Sequence, residues 1–238
     1  MNNDPSKERP ILFSAPMVRA ILDGNKTQTR RLVKPQPPNR ECCGGLSVVL
    51  RDIPETNSWY AAYVAAENHF GTEYRPVPQL SIDRWICHYG KPGDRLWVRE
   101  AIELKHLGEN TFPSPVYQAD GSHVMDGENR ASNHEFMGRR VHPSIHMPRW
   151  ASRITLEITG VRVERLQSIS EEDARAEGIT DGGCLTCGNP EPCGCENAKP
   201  DARDAFIHLW HSIHAWDGPN GWISNPWVWV VGFKRVTP

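Results

Sequence analysis

No stretch of this 238-residue chain approaches the ~18 to 20 apolar residues of a membrane span. The opening residues, Met1-Asn2-Asn3-Asp4, lack the apolar run of a secretory signal. A cytoplasmic protein without a membrane partner is therefore expected. Excess charge is also absent: 27 Lys and Arg against 29 Asp and Glu leave a formal net charge of −2. That excludes a global electrostatic drive toward nucleic acid, so any such contact is local or to a single nucleoside. Hydrophobic residues are few, at 38% with a mean hydropathy of −0.56, which limits the core. Twenty Pro and nineteen Gly predict plentiful loops to match. In a cytoplasmic setting the seven Cys do not form a disulfide framework.

What is present is concentrated near the N-terminus. Ser14 is placed to cap a helix opening at Ala15, with Pro16 in its first turn. Met17 and Ile21 are four apart, as are Val18 and Leu22, giving one apolar face. Gly24 reads as the stop. Lys26, Thr29 and Arg31 then follow within six residues. On spacing alone they are a solvated polar turn. An amine, a hydroxyl and a guanidinium so close together also suit a nucleophile, its activator and an anion clamp.

Further along, residues 36–80 read as an irregular insertion, in which 58–66 fits helix or strand equally. Pro92-Gly93-Asp94 is a turn before a strand at Leu96 to Val98. A second insertion, 103–147, carries a short strand near 115–119. Ile154, Leu156 and Ile158 alternate with polar residues, and Val161 and Val163 continue on the opposite parity. A change of phase at Thr159-Gly160 predicts a β-bulge or tight bend. Ser170 caps a short helix with acidic residues in its first turn and Gly178 as its stop. Glu177, in its last turn, faces the negative end of the helix dipole, an environment suited to a proton-exchanging carboxylate.

In a third insertion, 180–200, Cys184, Cys187, Cys193 and Cys195 lie within twelve residues. They could wrap a structural zinc, stay free thiols, or form one disulfide on purification. Phe206, Leu209, Trp210 and Ile213 make one apolar helix face, and the strand 227–231 is apolar on both faces.

Gly24-x-Lys26-x-x-x-x-Arg31 resembles the signature of ASCH domains, small PUA-like β-barrels associated with RNA. The surrounding Phe13-Ser14-Ala15-Pro16-Met17 and Lys26-Thr27-Gln28-Thr29-Arg30-Arg31 resemble ASCH-type proteins of bacteriophages and prophages. The likeness covers about 10–33, 91–100, 150–179 and 222–236 and leaves the insertions uncovered. It implies an α+β fold: one domain over 1–238, a small mixed β-barrel with flanking helices and insertions at about 36–80, 103–147 and 180–200.

Thr29 falls where the amidohydrolase members of this family carry a threonine, and Asp173-Ala174-x-x-Glu177-Gly178 matches their helix ending in a glutamate. Asp173 stands where a histidine is usual. The resemblance thus implies removal of an acyl group from the exocyclic amine of N(4)-acylated cytosine nucleosides such as N(4)-acetylcytidine. Lys26, Thr29 and Glu177 would be the catalytic residues. Arg31, Phe13, Ser14, Trp97, Glu100 and Trp150 are the candidates for binding substrate, with Phe13, Trp97 and Trp150 as an aromatic wall; Arg31 would alternatively hold the Lys–Thr turn in place, and Glu100 would alternatively be a surface charge. Backbone N–H groups of the turn 24–29 would hold the oxyanion. No cofactor is needed for this chemistry. The alternative is a non-catalytic PUA-like module binding RNA or a modified base through the same pocket. Ribonuclease chemistry ranks lower, since no two histidines are well placed for it.

Overall fold

The computed structural model describes residues 7–37, 46–53, 58–65, 85–106, 114–126, 129–130, 140–179 and 202–236. Strand β1 (Glu8–Leu12) leads into helix α1 (Ala15–Leu22), which Ser14 opens in extended conformation. The Ser14 hydroxyl makes no capping hydrogen bond, so it caps by backbone position alone. Val18 and Ile21 are buried, and Gly24 at φ +78° ends the helix as expected. Beyond it the chain enters strand β2 (Gln28–Leu32), where a polar turn is the reading from sequence.

Strands β3 (Leu46–Ile53) and β4 (Ser58–Ala65) pair antiparallel, with β5 (Trp85–Ile86) beside β4. Segment 36–80 is therefore not wholly irregular. Its strands are rich in β-branched and aromatic residues (Val48, Val49; Trp59, Tyr60, Tyr63, Val64), which favour a pleated hairpin over a helix. Then come β6 (Arg95–Arg99), β7 (Ile102–Lys105), β8 (Ser114–Tyr117), β9 (Met125–Asp126), β10 (Asn129–Arg130) and β11 (Val141–His142). The long β12 (Thr155–Arg165), helices α2 (Glu171–Ala176) and α3 (Ala202–Ile213), and β13 (Trp227–Val236) complete the order.

The result is mixed α+β, centred on a five-stranded sheet of order β1-β6-β12-β13-β2. Only β1 and β6 run parallel; the other pairs are antiparallel. The expected closed barrel is not found: among the described residues β1 and β2 are both sheet edges. The helix between them in sequence packs on the sheet face, and a side chain spans the edges instead. Arg31 on β2 donates to the Leu12 carbonyl at the end of β1, at 2.6 Å.

Period-2 patterning decides which face each residue serves. Ile154, Leu156 and Ile158 share a core with Leu96, Val98, Trp229, Val231, Val18 and Ile21. The β12–β13 register shifts between Ile158 and Gly160, the bulge expected from the change of phase. It returns Val161 and Val163 to the same face, where both pack against that core. On the reverse face, Val228 and Val230 meet Ala174, Phe206 and Trp210 of α2 and α3. Ile213 departs from the expected apolar face: it is 59% exposed.

A smaller unit, the sheet β11-β7-β8, buries Ile102, Tyr117 and Met147. Beside it Arg153 grips Glu100 through two bonds of 2.9 Å and Asp120 through one of 2.7 Å. Burial alone would raise the Asp120 carboxyl, but hydrogen bonds from Arg153 and Ser122 outweigh it and hold it at about 2. An aspartate held below its unfolded value stabilises the fold fully above about pH 4 and loses that contribution as pH falls to about 2. Burial raises the Glu100 carboxyl despite Arg153, so acid acts there in the opposite sense. In urea unfolding, the stability gap between the wild type and Asp120→Asn is therefore expected to shrink from about pH 5 to about pH 2. A gap constant over that range would show that Asp120 carries no such acid-sensitive term.

Candidate active site

The site is built where the end of α1 meets the end of α2. Ser170 caps α2, its hydroxyl accepting the Asp173 N–H at 3.1 Å. Glu171, Glu172 and Asp173 fill the first turn, where the helix dipole favours them. Gly178 at φ +84° stops the helix, leaving Glu177 at the C-cap. A Cβ added to Gly178 would lie 2.8 Å from Ala20 Cβ and 3.0 Å from Lys26 Cβ. Gly178→Ala is therefore expected to cost about 2 to 4 kcal/mol, from a left-handed backbone and overpacking together. Urea denaturation checks this; a cost under about 1 kcal/mol would mean that the two chain segments yield easily.

The same close approach joins the residues on either side. Thr27 N–H bonds to the Ala176 carbonyl at 2.9 Å, and Lys26 and Glu177 form an isolated antiparallel bridge. Lys26 Nζ donates to the Glu177 carbonyl at 2.7 Å and to Glu177 Oε2 at 2.8 Å. Both side chains are buried, at 0% and 4% exposure. Residues 151 apart in sequence thus meet as an ion pair in the interior. Burial drives the Lys26 amine below its ordinary value, while Glu177 pulls the other way. The direction is downward because desolvation is the larger effect.

Arg30, which the sequence does not single out, is the centre of the surrounding network. Its side chain is wholly buried and reaches Asp173 at 2.8 Å, Glu164 at 3.1 Å and Glu177 at 3.3 Å. Gln28, on the same face of β2, donates to the Asp173 carbonyl and carboxylate at 2.9 and 3.0 Å. Arg162 adds bonds to Glu164 and Asp173. Three cations (Lys26, Arg30, Arg162) thus meet three anions (Glu164, Asp173, Glu177), and the network is neutral in itself. Asp173 serves here as an anchor for Arg30, Gln28 and Arg162.

Thr29 and Arg31 lie on the opposite face of β2 from Gln28 and Arg30. Thr29 is buried, yet among the described residues its hydroxyl has no hydrogen-bond partner. Neither Lys26 nor Glu177 bonds to it. It lines a cavity of about 310 Å³ together with Glu177 and residues Arg30 to Leu32 of β2. Helix α3 supplies Phe206, Leu209, Trp210 and Ile213, His214 follows directly after it, and His88, Tyr89, Lys34, Met17 and Trp229 complete the lining. Ile213 is exposed because it stands in this lining rather than in the core.

The expected binding residues are divided by the structure. Arg31 lines the cavity, and Phe13 lies beneath it: the Lys26 amine sits 5.6 Å and the Arg31 guanidinium 5.3 Å from the ring centre. Ser14, Trp97, Glu100 and Trp150 are not in the lining. Trp97 faces Arg99 and Arg149, Glu100 is held by Arg153, and Trp150 packs against the smaller core. The aromatic residues in the lining are Tyr89, Phe206, Trp210 and Trp229. The backbone N–H groups of Gly24, Asn25, Lys26 and Thr27 all donate to protein carbonyls, so they do not form an oxyanion hole.

Cys184, Cys187, Cys193 and Cys195, the expected zinc ligands, lie outside the described residues. Among the described residues no group of three or more His, Cys, Asp and Glu is arranged to hold a metal ion. No helix among them is long and apolar enough to cross a membrane. No family model, curated protein or solved structure matches the chain.

Proposed function

We propose that this protein is a PUA-like ASCH amidohydrolase that removes the acyl group from the exocyclic amine of N(4)-acylated cytosine nucleosides. One observation carries the reading: a buried Lys26–Glu177 pair beside a cavity lined by Thr29, whose hydroxyl has no hydrogen-bond partner among the described residues. Two positions on Lys26 Nζ are occupied by Glu177. Burial lowers the amine below its ordinary value, which eases its giving up and taking back a proton in the reaction.

The chemistry then balances with the chain's own groups. The Thr29 oxygen attacks the acyl carbon, or positions a water that does, and the proton passes to Lys26. Collapse of the tetrahedral intermediate breaks the C–N bond, and the leaving amine takes a proton from the Lys26–Glu177 pair. If threonine was acylated, water completes the cycle and releases the acid. The aromatic wall of Tyr89, Trp210 and Trp229 would stack the base.

The test is hydrolysis of N(4)-acetylcytidine by the purified protein, followed by ultraviolet absorbance, with chelator in one arm. Turnover that persists with chelator is the expected result. Absence of turnover on acetylated and bulkier acylated cytidines would remove the enzyme reading. A second reading is favoured by one feature: Lys26 bonds to Glu177 and not to Thr29. On that reading the cavity binds a modified base or RNA without turning it over, and the buried pair is structural.

A further inference from the structure

Two cations at the cavity are left over once the neutral network is closed. Arg31 and Lys34 both line the cavity, and among the described residues neither has a carboxylate partner. Arg31 Nε is a buried donor with no acceptor, although another nitrogen of the same group bonds to Leu12. His214 lines the same cavity, its ring stacked on Trp210 with centroids 4.6 Å apart. Burial first, then the charges of Lys34 and Arg31, hold its imidazole below the ordinary value. All three groups therefore stand around one cavity. Arg31 is half-buried and Lys34 exposed; their like charges beside one cavity repel, and an anion relieves the repulsion.

We propose that Arg31, Lys34 and His214 form a phosphate subsite, so that the cavity prefers a cytosine nucleoside monophosphate over the free nucleoside. A guanidinium beside an ammonium suits a phosphomonoester, giving directed N–H bonds and a point charge together. At about 310 Å³ the cavity stands at the small end of ligand sites, fitting one nucleotide rather than a polymer. Thr29 and Arg31 are two residues apart on one strand face, about 7 Å along it. The acylated base and its phosphate would occupy successive parts of the same groove. The acylated-base half of this picture rests on the amidohydrolase reading; the phosphate half does not.

Calorimetric titration of the wild type with cytidine 5′-monophosphate, cytidine 3′-monophosphate, cytidine and inorganic phosphate tests it without turnover. At low salt at least one monophosphate is expected to bind about tenfold tighter than cytidine. Lys34→Met should bring that ratio toward one, and His214→Gln should lower it partially. Lys234→Met, a surface lysine paired with Glu157, should leave it unchanged. Equal affinities, including none measurable for any ligand, or a ratio indifferent to Lys34→Met, would overturn the subsite. Parallel assays compare N(4)-acetylcytidine with its 5′-monophosphate. A phosphate preference with no turnover of either keeps the subsite and removes the amidohydrolase; equal turnover of both with no binding preference does the reverse.

Discussion

Glu177→Ala is expected to destabilise the protein by about 3 to 5 kcal/mol, the cost typical of stripping one partner from a buried ion pair. The reasoning starts from who is left behind. The Lys26 side chain is wholly buried, and among the described residues Glu177 supplies both hydrogen bonds of its amine, one through the backbone carbonyl and one through the carboxylate. Removing the carboxylate leaves the amine with one acceptor and no counter-charge. Arg30 suffers less, because Asp173 and Glu164 still hold it. Replacing both partners by apolar groups avoids the orphan charge, so Lys26→Met with Glu177→Leu should recover to within about 1 to 2 kcal/mol of the wild type. Urea unfolding of the two single variants and the double variant measures the coupling directly. A Glu177→Ala cost under about 1 kcal/mol would show that water reaches Lys26 and that the pair is not sealed.

The meeting of Lys26 with Glu177 was legible in the sequence only through the family resemblance. Nothing in the spacing of residues 151 apart brings them together. Local features were legible for direct physical reasons. Gly24 and Gly178 take the positive φ that a helix stop needs, and the change of phase at Thr159-Gly160 is a bulge because apolar residues must stay on one face. Arg30 escaped notice because the segment after Gly24 reads as a turn. Only once 28–32 is a strand do the adjacent arginines separate, Arg30 toward α2 and Arg31 toward Phe13. A signal did exist: Asp173 and Glu177 are four apart on a short helix, two carboxylates on one face that call for a buried cation. Trp97 and Trp150 stand outside the cavity lining for a related reason. Trp97 and Trp150 are close to the resembling motifs in sequence, whereas the cavity draws Trp210 and Trp229 from elements whose packing no local pattern reveals.

Thr29→Ala is expected to lower turnover of N(4)-acetylcytidine by about a thousandfold or more while leaving stability within about 1 kcal/mol. The two halves of this expectation come from the same fact. The Thr29 hydroxyl makes no hydrogen bond within the described structure, so the fold does not lean on it. Thr29 lines the cavity beside Glu177, and on the proposed reading its hydroxyl serves the reaction there. Thr29→Ser keeps the oxygen and loses one methyl, and should retain turnover within about tenfold. The two roles open to the oxygen also separate. A nucleophile forms an ester, so rapid acid quenching followed by intact-mass measurement would find an acetyl group on the wild type and none on Thr29→Ala. A water-positioning hydroxyl gives the same loss of rate with no acylated protein at any time. If Thr29→Ala instead turns over within about tenfold of the wild type, the hydroxyl takes no part in the reaction. The Lys26–Glu177 pair would then be a device for joining α2 to the end of α1, and the cavity a place where a base is held and not changed.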